Sequence, residues 1–444
     1  MREGTITAAR ASRDLWDAVV VGAGPAGSLA ARQLARSGLS VLLVDRQRFP
    51  RWKVCGGCLN PSTVKTLEEA GLGTLLSDLS AVPLNELRIA AWSRQASVQL
   101  EGSAALSRSA FDAGLLTAAI EAGAEFLPGA SASLGPCLPG APASLDPSFH
   151  ENPASARRPE PGLEQGARIS EPGQKQDARI LHLRSGSGRA SITARVVVAA
   201  DGLNGALLSS GGEGGGEGAG EGAGEWRAPA ARVGAGAAVL ECPDFYTPGT
   251  IFMAVGAGGY VGLVRLEDHS LNLAAAFDRD FVRHAGGVGH AAAAVVKEAG
   301  FPDIEGIETL AWKGTVPLTR RPATRAIERV FAIGDAAGYV EPFTGEGMAW
   351  ALAGAMAVSP FVRSAARSWD PALMAMWDET YRETVGRAQS TCALVARMLR
   401  HPIAVRSVVA LLAKMPVIAR PVVRRLGRPR RLSSAETQLQ ETIA

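Results

Sequence analysis

Apolar runs and helical periods alternate near the start of this chain. An apolar run including Val19–Val21 enters a glycine-rich turn, a helix pattern follows, and a second apolar run, "VLLVD", ends on Asp45. Alternation of this kind from Asp17 to Asp45 predicts a parallel α/β unit. Between Val233 and Phe277 the pattern changes. The runs Thr250–Val255, Tyr260–Leu266 and Leu271–Phe277 are short and joined by "GAGG" and "EDHS", a spacing that predicts antiparallel strands with tight turns. An antiparallel sheet set inside a parallel fold predicts a second domain, with a pocket where the two meet. Beyond about Pro360 the pattern is helical to near the end. Two stretches interrupt the globular text: Cys137–Gln176, rich in Pro, Ala, Ser and Gly, and the Gly/Glu tract Ser209–Trp226, which cannot bury a core.

Composition narrows the picture. A chain of 444 residues suits two or three domains, and 47% apolar content is enough for a large interior. A net charge of +3 does not imply nucleic acid, and five scattered cysteines suggest a reducing compartment rather than a disulfide framework. The first residues lack the apolar core of a signal peptide, and no window reaches the roughly twenty uncharged apolar residues of a membrane span. The expected location is cytoplasmic, with peripheral membrane contact as an open possibility.

Gly22, Gly24 and Gly27 form G-x-G-x-x-G between a strand and a helix. The first permits a tight turn, the second lets backbone approach a pyrophosphate, and the third lets helix and strand pack closely. Asp45, at the end of the next strand, is placed to accept from a ribose. Far downstream, Arg329–Ala357 reads as a strand, then Gly334-Asp335, a loop, and a small-residue helix beginning near Gly345. An aspartate just past a strand end can accept from ribityl hydroxyls, and a glycine-rich helix start can face negative charge on a flavin. Val196–Gly205 supplies another strand and an Asp201-Gly202 turn.

The order G-x-G-x-x-G, Asp201-Gly202, Gly334-Asp335 resembles the flavoprotein fold shared by aromatic hydroxylases, geranylgeranyl reductases and flavin-dependent halogenases. The resemblance implies an α/β, Rossmann-like FAD-binding domain with an inserted antiparallel substrate domain and a helical C-terminal region. The corresponding boundaries are 14–62, 104–135, 178–209 and 310–368 for the FAD-binding domain, and 63–103 and 230–309 for the substrate domain. Insertions occupy 136–177 and 210–229, and the C-terminal region 369–444. The resemblance implies resident FAD, with NAD(P)H or another external donor visiting, since "GAGAAV" at Gly234 lacks the third glycine of a second site. Expected cofactor contacts are Gly22, Gly24, Pro25, Ala26, Gly27, Asp45, Arg46, Asp201, Gly202, Gly334, Asp335, Gly345, Gly347 and Met348. "KVCGG" resembles the geranylgeranyl reductase signature and adds Lys53, Cys55, Gly56 and Gly57, while "LSRSAFDAGLL" adds Arg108.

The chemistry is read as reduction of a C=C bond in an apolar isoprenoid or polyketide/quinone-like substrate, with Tyr260 or Cys55 as proton donor. Oxygen transfer to an aromatic or polyketide ring is the alternative; halogenation and non-catalytic flavin binding rank lower. Tyr260–Arg265 keeps only the tyrosine of the Y-x-W-x-F-P strand usual in geranylgeranyl reductases, and Gly262 stands where a tryptophan would. Cys55–Cys58 is a C-x-x-C without further metal ligands, which leaves a redox pair or a flavin-contacting loop with an incidental second thiol. Glu341 and Glu346 flank the second glycine cluster as pocket or capping groups. In the tail Arg397–Leu432, basic residues interleave with apolar ones without any acid, broken at Pro402, Pro416 and Pro421. These short helices either cap the substrate domain or meet anionic lipid.

Overall fold

The computed structural model describes residues 4–141, 176–186, 188–209, 226–227, 231–341, 343, 345–415 and 439. Only the edges of the two low-complexity stretches fall within these residues, and Pro416, Pro421 and the arginines beyond lie outside them. The strand Leu15–Val21 sits mid-sheet because its apolar side chains can be buried on both faces, as parallel strands require. Val20 pairs with Leu43 on one side and Val198 on the other. The sheet runs Ala326–Ile327, Val330–Ala332, Gly188–Ala199, Leu15–Val21, Val41–Asp45, Glu125–Pro128, parallel along this path except at the Ala326–Ile327 edge; Gln176–Ser185 and Ser131–Ala141 extend it from Gly188–Ala199 as antiparallel strands. Strand order reverses beside Leu15–Val21, so its carboxyl end opens into a crevice, where the glycine turn lies.

Two helices flank that turn. Pro25–Arg36 starts with proline at its first position and buries Leu29 and Leu34. Arg108–Glu121 is capped by Ser107 Oγ, which accepts from Ala110 N at 3.0 Å.

The second sheet runs Lys313–Pro317, Val233–Val239, Leu271–Phe277, Gly259–Arg265, Thr250–Gly256, Val82–Ala91, Arg94–Ala105 and Cys58–Leu59. It is antiparallel except between Thr250–Gly256 and Val82–Ala91. Side chains alternate across it with period two. Phe252, Val261 and Leu263 pack under the helix Val288–Ala299, while Met253 and Tyr260 face the C-terminal helices.

Three boundaries differ from the sequence reading. Lys313–Pro317, expected in the FAD-binding segment 310–368, is an edge strand of the antiparallel sheet, with Thr315 Oγ1 accepting from Gly234 N at 3.0 Å. Its outward residues are polar or glycine, so no apolar alternation announced it. Pro61–Glu69, whose residues from 63 on were assigned to the substrate domain, sends Leu67 into the core of the parallel domain. The first insertion is shorter than 136–177, because Ser131–Ala141 and Gln176–Ser185 pair as far as Ala141 with Gln176.

The C-terminal helices are Gly347–Arg367, Ala372–Tyr381, Arg387–Met398 and Pro402–Lys414, the second and third joined through a π turn at Arg382–Gly386. Pro402 opens the last one, whereas Pro360 lies inside the first.

Candidate functional site

The glycine turn is determined by contact. A Cβ on Gly22, which has φ of +107°, would overlap Ala200 O, and one on Gly27 would overlap Gly22 O. Gly24 differs: a Cβ there would meet only the Arg51 and Arg108 guanidinium nitrogens, at 3.6 and 3.9 Å. Gly24 is also the N-cap of Pro25–Arg36 and makes no side-chain capping bond, so the helix start faces open space with its first N–H groups. That space is a cavity of about 570 Å³, bordered by Gly24, Pro25 and Ala26.

Cations converge on the same end. Arg46, Lys53 and Arg108 line the cavity. Arg108 is fixed by Asp112, with Nε to Oδ1 at 2.7 Å and a second nitrogen to Oδ2 at 2.9 Å. Arg51 lies 3.5 Å from both Asp45 and Asp112 and ties the strand end to the helix. Burial, and then the neighbouring Arg108 charge, lower the Lys53 pKa. An uncapped helix start, an open glycine and three cations suit a pyrophosphate. The residues present fit FAD.

The remaining expected contacts divide. Cys55, Gly56, Asp201, Gly202, Gly334, Asp335, Gly345, Gly347 and Met348 line the cavity with Tyr260. Gly22, Gly27, Asp45 and Gly57 are not on its wall. Asp45 instead holds the turn from behind, Oδ2 accepting from Ala23 N at 2.7 Å and Oδ1 from Gln47 N at 2.8 Å. Gly57 borders a smaller cavity on the other side of the 52–57 loop. Asp201 lines the wall and also accepts from Leu207 N at 3.0 Å; burial raises its pKa.

The loop 52–57 lies across the antiparallel sheet, held by Asn272 Nδ2 donating to Cys55 O at 2.9 Å. Cys55 and Cys58 are free thiols, and burial, with Cys55 beside it, pushes the Cys58 thiol up to about 12. A thiol held protonated in this way is a weak nucleophile.

Beyond the loop the wall turns apolar, with Leu87, Leu100, Ile251, Met253, Leu318 and Phe343. Tyr260 sits at the change, its ring edge-on to Phe343 at 5.1 Å. The charged group that acts on its hydroxyl most strongly is Glu341, which is 1% exposed. Arg232, also 1% exposed, donates to Glu341 Oε1 at 3.3 Å and to Asp278 Oδ1 at 3.4 Å. Burial raises the Glu341 pKa although Arg232 and Arg400 oppose the shift, and burial together with Glu341 raises that of Tyr260 well above its ordinary value. Glu346 is equally buried, also lines the cavity, and accepts from the Cys392 thiol at 2.7 Å.

Sequence reasoning missed several of these residues. Tyr339, on the wall beside Asp335, directly follows "GDAAG" and could have been suspected from that position. Arg320 clamps the Asp201-Gly202 turn by donating to Leu203 O at 2.6 Å. Arg232 gave one signal, a lone cation immediately before an apolar strand.

Residues 16–118 match the family model described as FAD binding domain. The matched segment carries the glycine turn and Arg46, Lys53 and Arg108. The menaquinone reductase of Mycobacterium tuberculosis is 39% identical over 125 residues, covering 27% of this chain and 30% of that protein. The geranylgeranyl diphosphate reductase of Rhodobacter capsulatus is 49% identical over 53 residues, covering 12% and 13%. The chain thus matches less than a third of the length of these curated relatives. In fold the similarity spans nearly the whole chain. A geranylgeranyl bacteriochlorophyll reductase-like protein from Thermoplasma acidophilum superposes with a TM-score of 0.65 at 18% identity, covering 96% of both chains. The FAD binding domain accounts for the glycine turn, the cations and Arg108. No helix among the described residues is long and apolar enough to cross a membrane.

Proposed function

We propose that the chain is an FAD-dependent oxidoreductase that reduces a C=C bond in an apolar, isoprenoid or quinone-like substrate. NAD(P)H or another external donor supplies the electrons. The observation that carries this reading is a continuous cavity lined by both the glycine turn and an apolar sheet face, with the buried Tyr260 on its wall. The menaquinone and geranylgeranyl diphosphate reductases among the relatives support the substrate class.

Bound FAD supplies hydride transfer. The chain's residues supply the rest. Leu87, Ile251, Met253 and Phe343 exclude water and orient an apolar molecule. Tyr260, held protonated by burial and Glu341, delivers a proton from Oη to the carbon opposite the one that receives hydride. Glu341, whose raised pKa lets it carry a proton, returns one to Tyr260, while Arg232 fixes its carboxyl.

The test is anaerobic. FAD-loaded protein is reduced with dithionite and mixed with a menaquinone analogue or a geranylgeranyl ester. Return of the oxidised flavin spectrum together with a product saturated at one C=C bond supports the reading. No reoxidation until oxygen is admitted, followed by a hydroxylated product, overturns it in favour of oxygen transfer.

A further inference from the structure

Among the described residues, five large apolar side chains are exposed, and four lie on the last two helices: Leu394, Ile403, Leu411 and Met415. Ile403 is 83% exposed and Leu394 69%. On Pro402–Lys414 the inward stripe is Val405 and Val409, which pack with Leu399 against Met253, Tyr260 and Leu318. The outward stripe, Ile403, Ser407, Leu411 and Met415, follows at helical spacing. Arg406 and Lys414 are exposed beside it, and the Arg406 guanidinium lies over the half-buried Trp92 ring at 6.0 Å.

Charge is segregated as well. From Thr384 to Ala435 the sequence holds eleven Lys and Arg and no Asp or Glu, while the whole chain is only +3. The remainder is therefore net acidic. The following residues 416–435 are themselves basic in sequence, so their charge does not complement this surface. A second copy of the same patch meets the same repulsion.

We infer that the outward face of Arg387–Met398 and Pro402–Lys414 docks on an anionic lipid surface. Cations around an apolar stripe satisfy both parts of such an interface: headgroup charge and the apolar boundary beneath it. Nucleic acid would match the charge but would leave Ile403 and Leu411 unburied. The inner side of the same helices packs on residues that line the cavity, so docking brings the apolar end of the cavity to the lipid. The inference goes beyond the proposed reaction. It is tested without turnover, so either can fail alone.

The full chain is floated with vesicles of equimolar phosphatidylcholine and phosphatidylglycerol, and with phosphatidylcholine alone. Binding is expected to the mixed vesicles only, and to be lost as salt approaches about 1 M. Arg406→Glu with Lys414→Glu should cut the bound fraction by about tenfold or more. Ile403→Ser with Leu411→Ser should cut it by about tenfold. Leu240→Ser, which removes the fifth exposed apolar side chain elsewhere, should leave it unchanged. Equal binding to neutral vesicles, binding to neither, or indifference to both paired variants overturns the inference. So does a dimer in sedimentation that the Ile403/Leu411 pair dissociates.

Discussion

The glycine-turn end of the cavity is shaped by tightly constrained backbone and lined by cations; the antiparallel-sheet end is lined by apolar side chains. The first end has one solution, because Gly22 and Gly27 sit where any Cβ would strike a carbonyl oxygen. The second end has many, because Met253, Leu318 and Phe343 could be exchanged for other apolar residues of similar volume. Cofactor contact needs fixed donors at fixed positions. An apolar substrate needs volume and one well-placed proton.

The sharpest break in that comparison is Gly22→Ala. The added Cβ strikes Ala200 O, and the turn must move or the sheet must open. Loss of bound FAD is expected, with about 3 kcal/mol or more of lost stability in denaturant unfolding. A variant that retains FAD at wild-type affinity would show that the turn is not the cofactor's support.

Tyr260→Phe probes the other end. The ring contact with Phe343 survives, and only the hydroxyl, which burial and Glu341 keep protonated, is removed. Flavin content should be unchanged, and anaerobic reoxidation by a quinone analogue should slow by about a hundredfold. An unchanged rate would reassign the proton donor.

Glu341→Gln reports on burial through pH. In the folded protein the Glu341 carboxyl holds its proton above the ordinary carboxylate range, so the unfolded chain releases it first. Wild-type stability therefore falls, relative to the variant, as pH rises from the ordinary carboxylate value to the raised one, and levels off above it. A change of about 1 kcal/mol per unit of raised pKa is expected in unfolding midpoints across that window. The opposite slope would mean that Arg232 and Arg400 dominate over burial.

The smallest effect is expected from removing residues 211–224. A Gly/Glu tract contributes little buried apolar area, so melting temperature and flavin spectrum should hardly change. A large drop in thermal stability would show a packing role that composition hides.

What could be read from sequence follows the same division. Gly22, Gly27, Gly334 and Gly345 announce themselves because a positive φ or a close contact leaves no room for a side chain, and their spacing survives in one dimension. The strands at Thr250, Tyr260 and Leu271 were readable from apolar runs and turn residues. The edge strand Lys313–Pro317 was not, since an edge with polar and glycine positions resembles a loop. Asp45 has a second role that motif reading does not announce: its two oxygens accept from Ala23 N and Gln47 N and hold the turn. Arg232 and Glu341 lie 109 positions apart, and only the folded sheet brings them to one hydroxyl.

Gly262→Trp tests the central claim, that one cavity holds FAD at one end and an apolar substrate at the other. A Cβ on Gly262 meets the flexible end of Met253 at 3.3 Å and Ala274 O at an ordinary 3.6 Å, and Gly262 lines the cavity, so the indole is expected to fill its apolar end. FAD-loaded wild-type and variant proteins are titrated with a menaquinone analogue while the flavin absorbance is followed. The account predicts unchanged FAD affinity and a spectral perturbation present in the wild type and absent in the variant. An equal perturbation in both would place the substrate outside this cavity and contradict the account.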